Sequence, residues 1–317
     1  MTIVLSRSAD HLFWMSRLME RAENTARILD ISDRMGLLPT GEEARTGGEW
    51  DAVLQITGDV AIFHEHFPDA TAANVIAHMT LDPKNPSSIY STVYAARENA
   101  RAERVGITTE MWEALNSTWL EISKMTSSKL AARGYRNFFD WIKERSHLFR
   151  GCAVATMLRD ERYHFLRLGT FIERADNTAR ILDVKYHILL PEEVEVGSAI
   201  DHFHWGALLR SVSAYRNYHH AYKQVITPRN VADLLILNER FPRSLHSCFN
   251  EIVTLLDDIA GPRGGEATRL AGEIHATLHY GRIDTVFAQG MHEFLTDFIL
   301  RNNRLSTEIQ LAYLVAQ

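Results

Sequence analysis

Cysteine is nearly absent from this chain of 317 residues: Cys152 and Cys248 are the only two. Two such residues make no disulfide framework and show no metal-ligand spacing. Both read as buried, inert thiols. No apolar run approaches the ~18 residues that would span a bilayer. The opening stretch Met1-Thr2-Ile3-Val4-Leu5-Ser6-Arg7 is too short for the core of a signal peptide. A reduced, cytosolic protein is therefore expected. A basic stripe is missing and the net charge is −6, which argues against nucleic acid. There is no Gly-rich phosphate loop and no nucleophile elbow. Runs of β-branched residues with period two are missing too, which excludes a sheet.

What is present is helical spacing. Met15, Met19, Ala22, Ala26 and Leu29 recur at steps of four and three, one apolar helix face. The expected helices run from Ser6 or Ser8 to Gly36, and then over about 49–66, 71–80, 87–104, 109–132 and 135–149. After Gly151 come helices over about 154–190, 199–224, 229–238, 243–260, 266–280 and 284–315. Loops are expected around Pro39, at Glu192-Glu193-Val194-Glu195 and at Gly261–Gly265. The apolar fraction of 46% is ordinary for a globular protein.

One segment occurs twice. Glu20-Arg21-Ala22-Glu23-Asn24-Thr25-Ala26-Arg27-Ile28-Leu29-Asp30 returns as Glu173-Arg174-Ala175-Asp176-Asn177-Thr178-Ala179-Arg180-Ile181-Leu182-Asp183, differing only at Glu23 and Asp176. Around it, Trp50 matches Trp205, Asn74-Val75 matches Asn230-Val231, and Pro86-Ser87-Ser88-Ile89 matches Pro242-Arg243-Ser244-Leu245. The matches keep their order at nearly one offset. This predicts an all-α, two-lobed helical bundle built by internal duplication, with halves 1–150 and 151–317, as lobes or as one compact unit.

On a helical wheel Glu20, Asn24 and Arg27 neighbour each other opposite the apolar stripe, with Arg21 in the adjacent strip. Glu173, Asn177, Arg180 and Arg174 repeat the pattern. A freely solvated face tolerates almost any polar residue, yet both copies keep this one. Two compatible constraints fit. The motif helices pack together, with Glu20, Arg27, Glu173 and Arg180 paired in a buried network. Or the face lines a cleft, with arginines for an anion and carboxylates for an amine or a metal.

Further motifs add to the pattern: Phe13-Trp14-Met15 before the first copy, Ala96-Arg97-Glu98-Asn99-Ala100-Arg101, Arg167-Leu168-Gly169, and Phe241-Pro242-Arg243-Ser244. Together with the two Glu-Arg segments and Asn85-Pro86-Ser87-Ser88-Ile89, they resemble the alpha-E family over nearly the whole chain. The resemblance implies a bacterial, helical protein found beside or fused to circularly permuted ATP-grasp proteins, and near transglutaminase-like proteins. ATP-grasp proteins typically join carboxylates to amines. The implied role is a substrate-binding or accessory component of a peptide- or amide-modifying system. ATP chemistry would then sit on the partner, with a peptide or amino acid as substrate and no cofactor of this chain's own.

Candidate binding residues are therefore Glu20, Arg21, Asn24, Arg27, Glu173, Arg174, Asn177 and Arg180. Arg97, Asn99, Arg101, Ser88, Arg243 and Ser244 are further donors to the same cleft. The competing reading is a metal-dependent enzyme. Glu144 with His147 and Glu161 with His164 have the Glu-x-x-His spacing of di-iron bundles. His64-Glu65-His66, His202-Phe203-His204 and His219-His220 read as exposed or capping residues. A third reading makes the motif face an ion-paired seam and nothing more.

Overall fold

A computed structural model describes residues 5–35, 48–189, 199–260 and 265–315. The loops expected around Pro39, at Glu192–Glu195 and at Gly261–Gly264 lie outside them. The described residues form sixteen α-helices and no strand: α1 Ser6–Met35, α2 Gly48–Thr57, α3 Val60–His64, α4 Ala72–Thr80, α5 Ile89–Ala102, α6 Thr109–Ile122, α7 Ser127–Arg133, α8 Tyr135–Thr156, α9 Glu161–Leu189, α10 Ala199–Ser211, α11 Tyr215–Tyr222, α12 Pro228–Ile236, α13 Leu245–Ala260, α14 Gly265–His279, α15 Ile283–Gln289 and α16 Met291–Ile309. A short π-helical turn, Gln310–Leu314, follows α16. No helix among the described residues is long and apolar enough to cross a membrane.

Local chemistry sets these boundaries. Thr71, Ser88, Thr108, Thr126 and Thr227 each sit in extended backbone before a helix, and each side chain accepts a backbone N–H three residues on. Such a cap satisfies one of the four orphan donors of a helix start. Pro228 occupies the first turn of α12, where its missing N–H costs nothing. Gly134 (φ +83°) separates α7 from α8, and Gly290 (φ +97°) separates α15 from α16 in the same way.

Several expected helices are cut shorter. Gly58 (φ +77°) divides the helix expected over 49–66, and Ser213 (φ +59°) divides the one expected over 199–224. One left-handed residue reverses the backbone twist and ends the ladder. Conversely, α8 runs straight through Gly151 and past position 150 to Thr156. The break falls at Met157–Asp160, where the Asp160 carboxylate accepts the N–H groups of Arg162 and Tyr163.

α1 and α9, the two motif helices, lie side by side at the centre. α5 and α8 pack on α1, and α13 and α16 pack on α9; α2 also reaches α9, and α10 reaches α1. Cross-helix bonds between α1 and α9 join residues 149 to 156 positions apart in the chain. That nearly constant separation means the two helices run in the same direction, with their motifs level. Gly169 permits the close approach: a Cβ there would sit inside contact distance of the Phe13 carbonyl oxygen. Ser16 Oγ also donates to the Leu166 carbonyl at 2.5 Å. Apart from Ala52, Ile56, Ala114 and Tyr163, the buried apolar side chains of both halves join one continuous cluster. Burying so large a set supplies the main drive to fold.

Candidate functional site

The motif residues are not a solvated face. Nearly every residue of α1 from Leu12 to Ser32 is buried, charged ones included. A buried charge persists only if it is paired, and the pairing runs between the helices. Glu20, 1% exposed, takes a bidentate contact from Arg174: Nε to Oε1 at 2.9 Å and Nη2 to Oε2 at 3.1 Å. Glu173 takes the reciprocal contact from Arg21, at 2.5 and 2.9 Å. The expected pairing with Arg27 and Arg180 is therefore corrected. Those two sit about two turns further on and pair with Glu23 and Asp176, four residues back on their own helices. Their remaining donors tie in neighbouring helices, Arg27 to the Ser211 carbonyl and Arg180 to the Ile56 carbonyl at 2.6 Å.

Other arginines complete each cluster. Arg150 from α8 lies 2.5 Å from Glu20 and 2.6 Å from Glu23. Arg243, just before α13, donates to Glu20 at 3.2 Å and to Glu23. Around Glu173 the further donor is Arg17, at 2.8 Å. Burial pushes the Glu20 carboxyl up, but Arg150 and Arg174 outweigh it and hold its pKa at about 2. Glu173 is likewise held at about 2, with Arg21 and Arg17 overcoming its burial. Burial also opposes the charge on Glu23, and Arg243, Arg150 and Arg27 together hold it well below the ordinary value. Burial, with Arg27 close by, brings Arg243 down to about 10, so it stays charged at neutral pH.

Below the Glu173 cluster, between α1 and α9, lies a cavity of about 230 Å³. From α1 and α9 its polar lining is Arg21, Asn24, Thr25, Glu173, Asp176, Asn177 and Arg180. Thr57 at the end of α2 and Ser87 before α5 close it. Three lining atoms have no partner within the protein: Asn24 Oδ1, Asp176 Oδ1 and Asn177 Nδ2. Asn24 and Asn177 are each 4% exposed. The amide nitrogen of Asn24 faces the Glu173 carbonyl at 3.5 Å, which leaves its oxygen without a bond. Polar groups buried this deeply are normally bonded. Two acceptors and one donor without partners thus belong to residues that line a space of amino-acid size.

A family model described as "a predicted alpha-helical domain with a conserved ER motif" matches residues 4–314. The chain belongs to the Alpha-E family. Neither the curated proteins nor the solved structures hold a match to it. Of the Glu-Arg pairs in the chain, Glu20-Arg21 and Glu173-Arg174 are the ones that cross-pair at the centre of the fold.

The other expected site residues go elsewhere. Arg97 bonds Asn116 and Glu98 and lies over the Trp112 ring. Asn99 meets His11 at 2.8 Å, and Arg101 pairs with Glu98 near the surface. None of these three lines the cavity. Ser88 and Ser244 cap α5 and α13. Of this second set only Arg243 joins the motif residues. Glu144, His147, Glu161 and His164 form no common donor set among the described residues. Glu144 is exposed, His147 faces Glu23 at 3.5 Å, and His164 faces Asp258 at 3.9 Å. The Cys248 thiol is buried and pushed up to about 12 by that burial, while Cys152 is only half-buried.

Sequence reasoning missed Arg17, Arg150, Ser87 and Asp176. Arg17 aligns with Thr170 and Arg150 lies outside the motif, so the repeat carried no signal for either. Ser87 did carry one: it is the odd residue in a segment that otherwise matches Pro242-Arg243-Ser244.

Proposed function

We propose that the cavity binds a small ligand bearing an ammonium or guanidinium group. In this reading the Alpha-E chain presents that amine within an amide-forming system whose ATP chemistry sits on an ATP-grasp partner. The observation that carries the proposal is the place of Arg243. It precedes the capping Ser244 just as Ser87 precedes the capping Ser88. Its guanidinium reaches Glu20 and Glu23, the sequence counterparts of Glu173 and Asp176. Where Arg243 fills one site, Ser87 leaves the other open, lined by Asp176, whose Oδ1 is buried without a hydrogen bond.

Charge supports the same reading. Glu20 and Glu23 share four arginines, Arg27, Arg150, Arg174 and Arg243. Glu173 and Asp176 share three, Arg17, Arg21 and Arg180. The open site holds one arginine fewer than its counterpart, and a ligand cation would take the place that Arg243 fills there. Asn177 Nδ2 and Arg21 remain as donors for a carboxylate or carbonyl on the same ligand. The Glu20 half, fully paired, is the structural seam; the Glu173 half is the binding site.

The test is a thermal-shift panel of arginine, agmatine, lysine, cadaverine, acetate and phosphate on wild-type and Asp176→Asn protein. The cationic compounds should raise the wild-type melting temperature, with about 2.7 kcal/mol expected at 100 times Kd. Asp176→Asn should keep its circular dichroism and lose that response by tenfold or more in affinity, roughly the value of one charge-assisted bond. Stabilisation by acetate or phosphate alone would show an anion site and overturn the reading. Co-purification of an ATP-grasp ligase from native cells tests the accessory role, and its absence removes that part.

A further inference from the structure

Away from the motif helices, three histidines converge at the α13–α14 contact. His246 lies at the start of α13, and His275 and His279 lie four residues apart on α14, one turn of one face. One ring nitrogen from each lies within 4.8 Å of those of the other two. His246 Nε2 and His279 Nδ1 are 3.3 Å apart. Two imidazole nitrogens on one tetrahedral zinc, each at 2.0–2.1 Å, are separated by about 3.3 Å.

The rings are also held from behind. His246 is 5% exposed, and its Nδ1 meets the Leu237 carbonyl at 2.9 Å. A carbonyl only accepts, so Nδ1 carries the hydrogen and Nε2 keeps its lone pair towards the cluster. His275 Nε2 meets the Asn250 carboxamide at 2.6 Å, which orients that ring. Outer contacts of this kind fix the tautomer and direction of metal-bound imidazoles. Burial, followed by the neighbouring His246 and His279, brings the His275 pKa down, towards the neutral form that binds metal.

We infer that His246, His275 and His279 form a site for one divalent transition-metal ion, zinc by preference. Three imidazoles without thiolate or carboxylate suit zinc, nickel, copper or cobalt rather than magnesium or calcium. Three protein ligands leave the fourth tetrahedral position to water or another ligand. The ion clips α14 to α13. The site is separate from the amine cavity and does not depend on it.

The experiment is titration of chelator-treated full-length protein with zinc chloride by calorimetry, and with cobalt by visible absorption. One ion per chain is expected, with the cobalt spectrum of a four-coordinate site and a raised melting temperature. His279 is exposed, so His279→Ala should fold normally. It should weaken zinc binding by more than the roughly 10–100-fold that loss of an outer partner costs. His220→Ala, an exposed histidine elsewhere, should leave binding unchanged. No saturable binding, or equal binding by wild-type and His279→Ala, would overturn the assignment. Agmatine stabilisation should be the same with and without zinc, so failure here leaves the amine cavity standing.

Discussion

Glu20→Ala unfolds with about 3–5 kcal/mol less stability than the parent at neutral pH, the usual cost of removing one partner from a buried ion pair. It reads as a lower urea midpoint at an unchanged m-value. The size follows from what is left behind. Arg174 loses both of its carboxylate hydrogen bonds, and Arg150 and Arg243 each lose one of two acidic partners. Only Glu23 then remains to balance Arg27, Arg150 and Arg243. Glu20→Gln preserves shape and one acceptor, so its loss should be smaller. Arg101→Ala removes an exposed ion pair with Glu98 and should stay within about 0.5 kcal/mol. Glu20→Ala combined with Arg243→Ala should be less damaging than the two single effects added, because each change relieves the other's unpaired charge. A Glu20→Ala protein as stable as Arg101→Ala would contradict the buried network.

Acid should unfold the protein steeply, beginning just below pH 4.5. Glu20 and Glu173 fall from 4.5 to about 2 on folding, and Glu23 falls well below 4.5. For a depressed carboxyl, the unfolded chain takes up its proton first. The stabilisation is whole above the unfolded value and drains away as pH falls towards the folded one. Glu20 and Glu173 each contribute on the order of 3 kcal/mol at neutral pH, at about 1.4 kcal/mol per pKa unit. With three groups differing by a proton, the slope approaches about 4 kcal/mol per pH unit between pH 4 and 2.5. Urea melts at pH 7, 5, 4 and 3 measure it. Little change is expected from 7 to 5 on account of these groups, then a sharp fall. Glu20→Gln should reduce the slope by about one proton, roughly 1.4 kcal/mol per unit. A flat profile down to pH 3 would mean that the carboxylates are not held as charged groups.

The helices were legible because periodicity, caps and breakers agreed. Thr71, Ser88 and Thr108 mark real helix starts. The misplaced ends have physical causes. Ser213 adopts a left-handed conformation that its residue type does not announce. Gly151 costs a helix interior about 1 kcal/mol, too little to break α8 against its packing. In the site, repetition exposed Glu20, Arg21, Asn24, Glu173, Arg174 and Asn177, since two copies kept them together. Their partners stayed hidden because a helical wheel ranks neighbours on one helix. Arg21 and Arg174 instead span to the facing helix, which only the α1–α9 packing reveals. The contrast of Ser87 with Arg243 was visible in the aligned segments. Its meaning depended on seeing Arg243 on Glu20 and Glu23 while Ser87 edges a cavity.

Calorimetric titration of agmatine into wild-type and Ser87→Arg protein tests the proposed cation site most directly. The new arginine side chain would start where Arg243 starts in the other half and reach Glu173 and Asp176. Wild type should bind one agmatine per chain. Ser87→Arg should bind none and melt at a higher temperature, its own guanidinium occupying the cavity. Agmatine binding by Ser87→Arg as strong as by wild type, or none by either protein, would contradict the amine-binding role of the cavity.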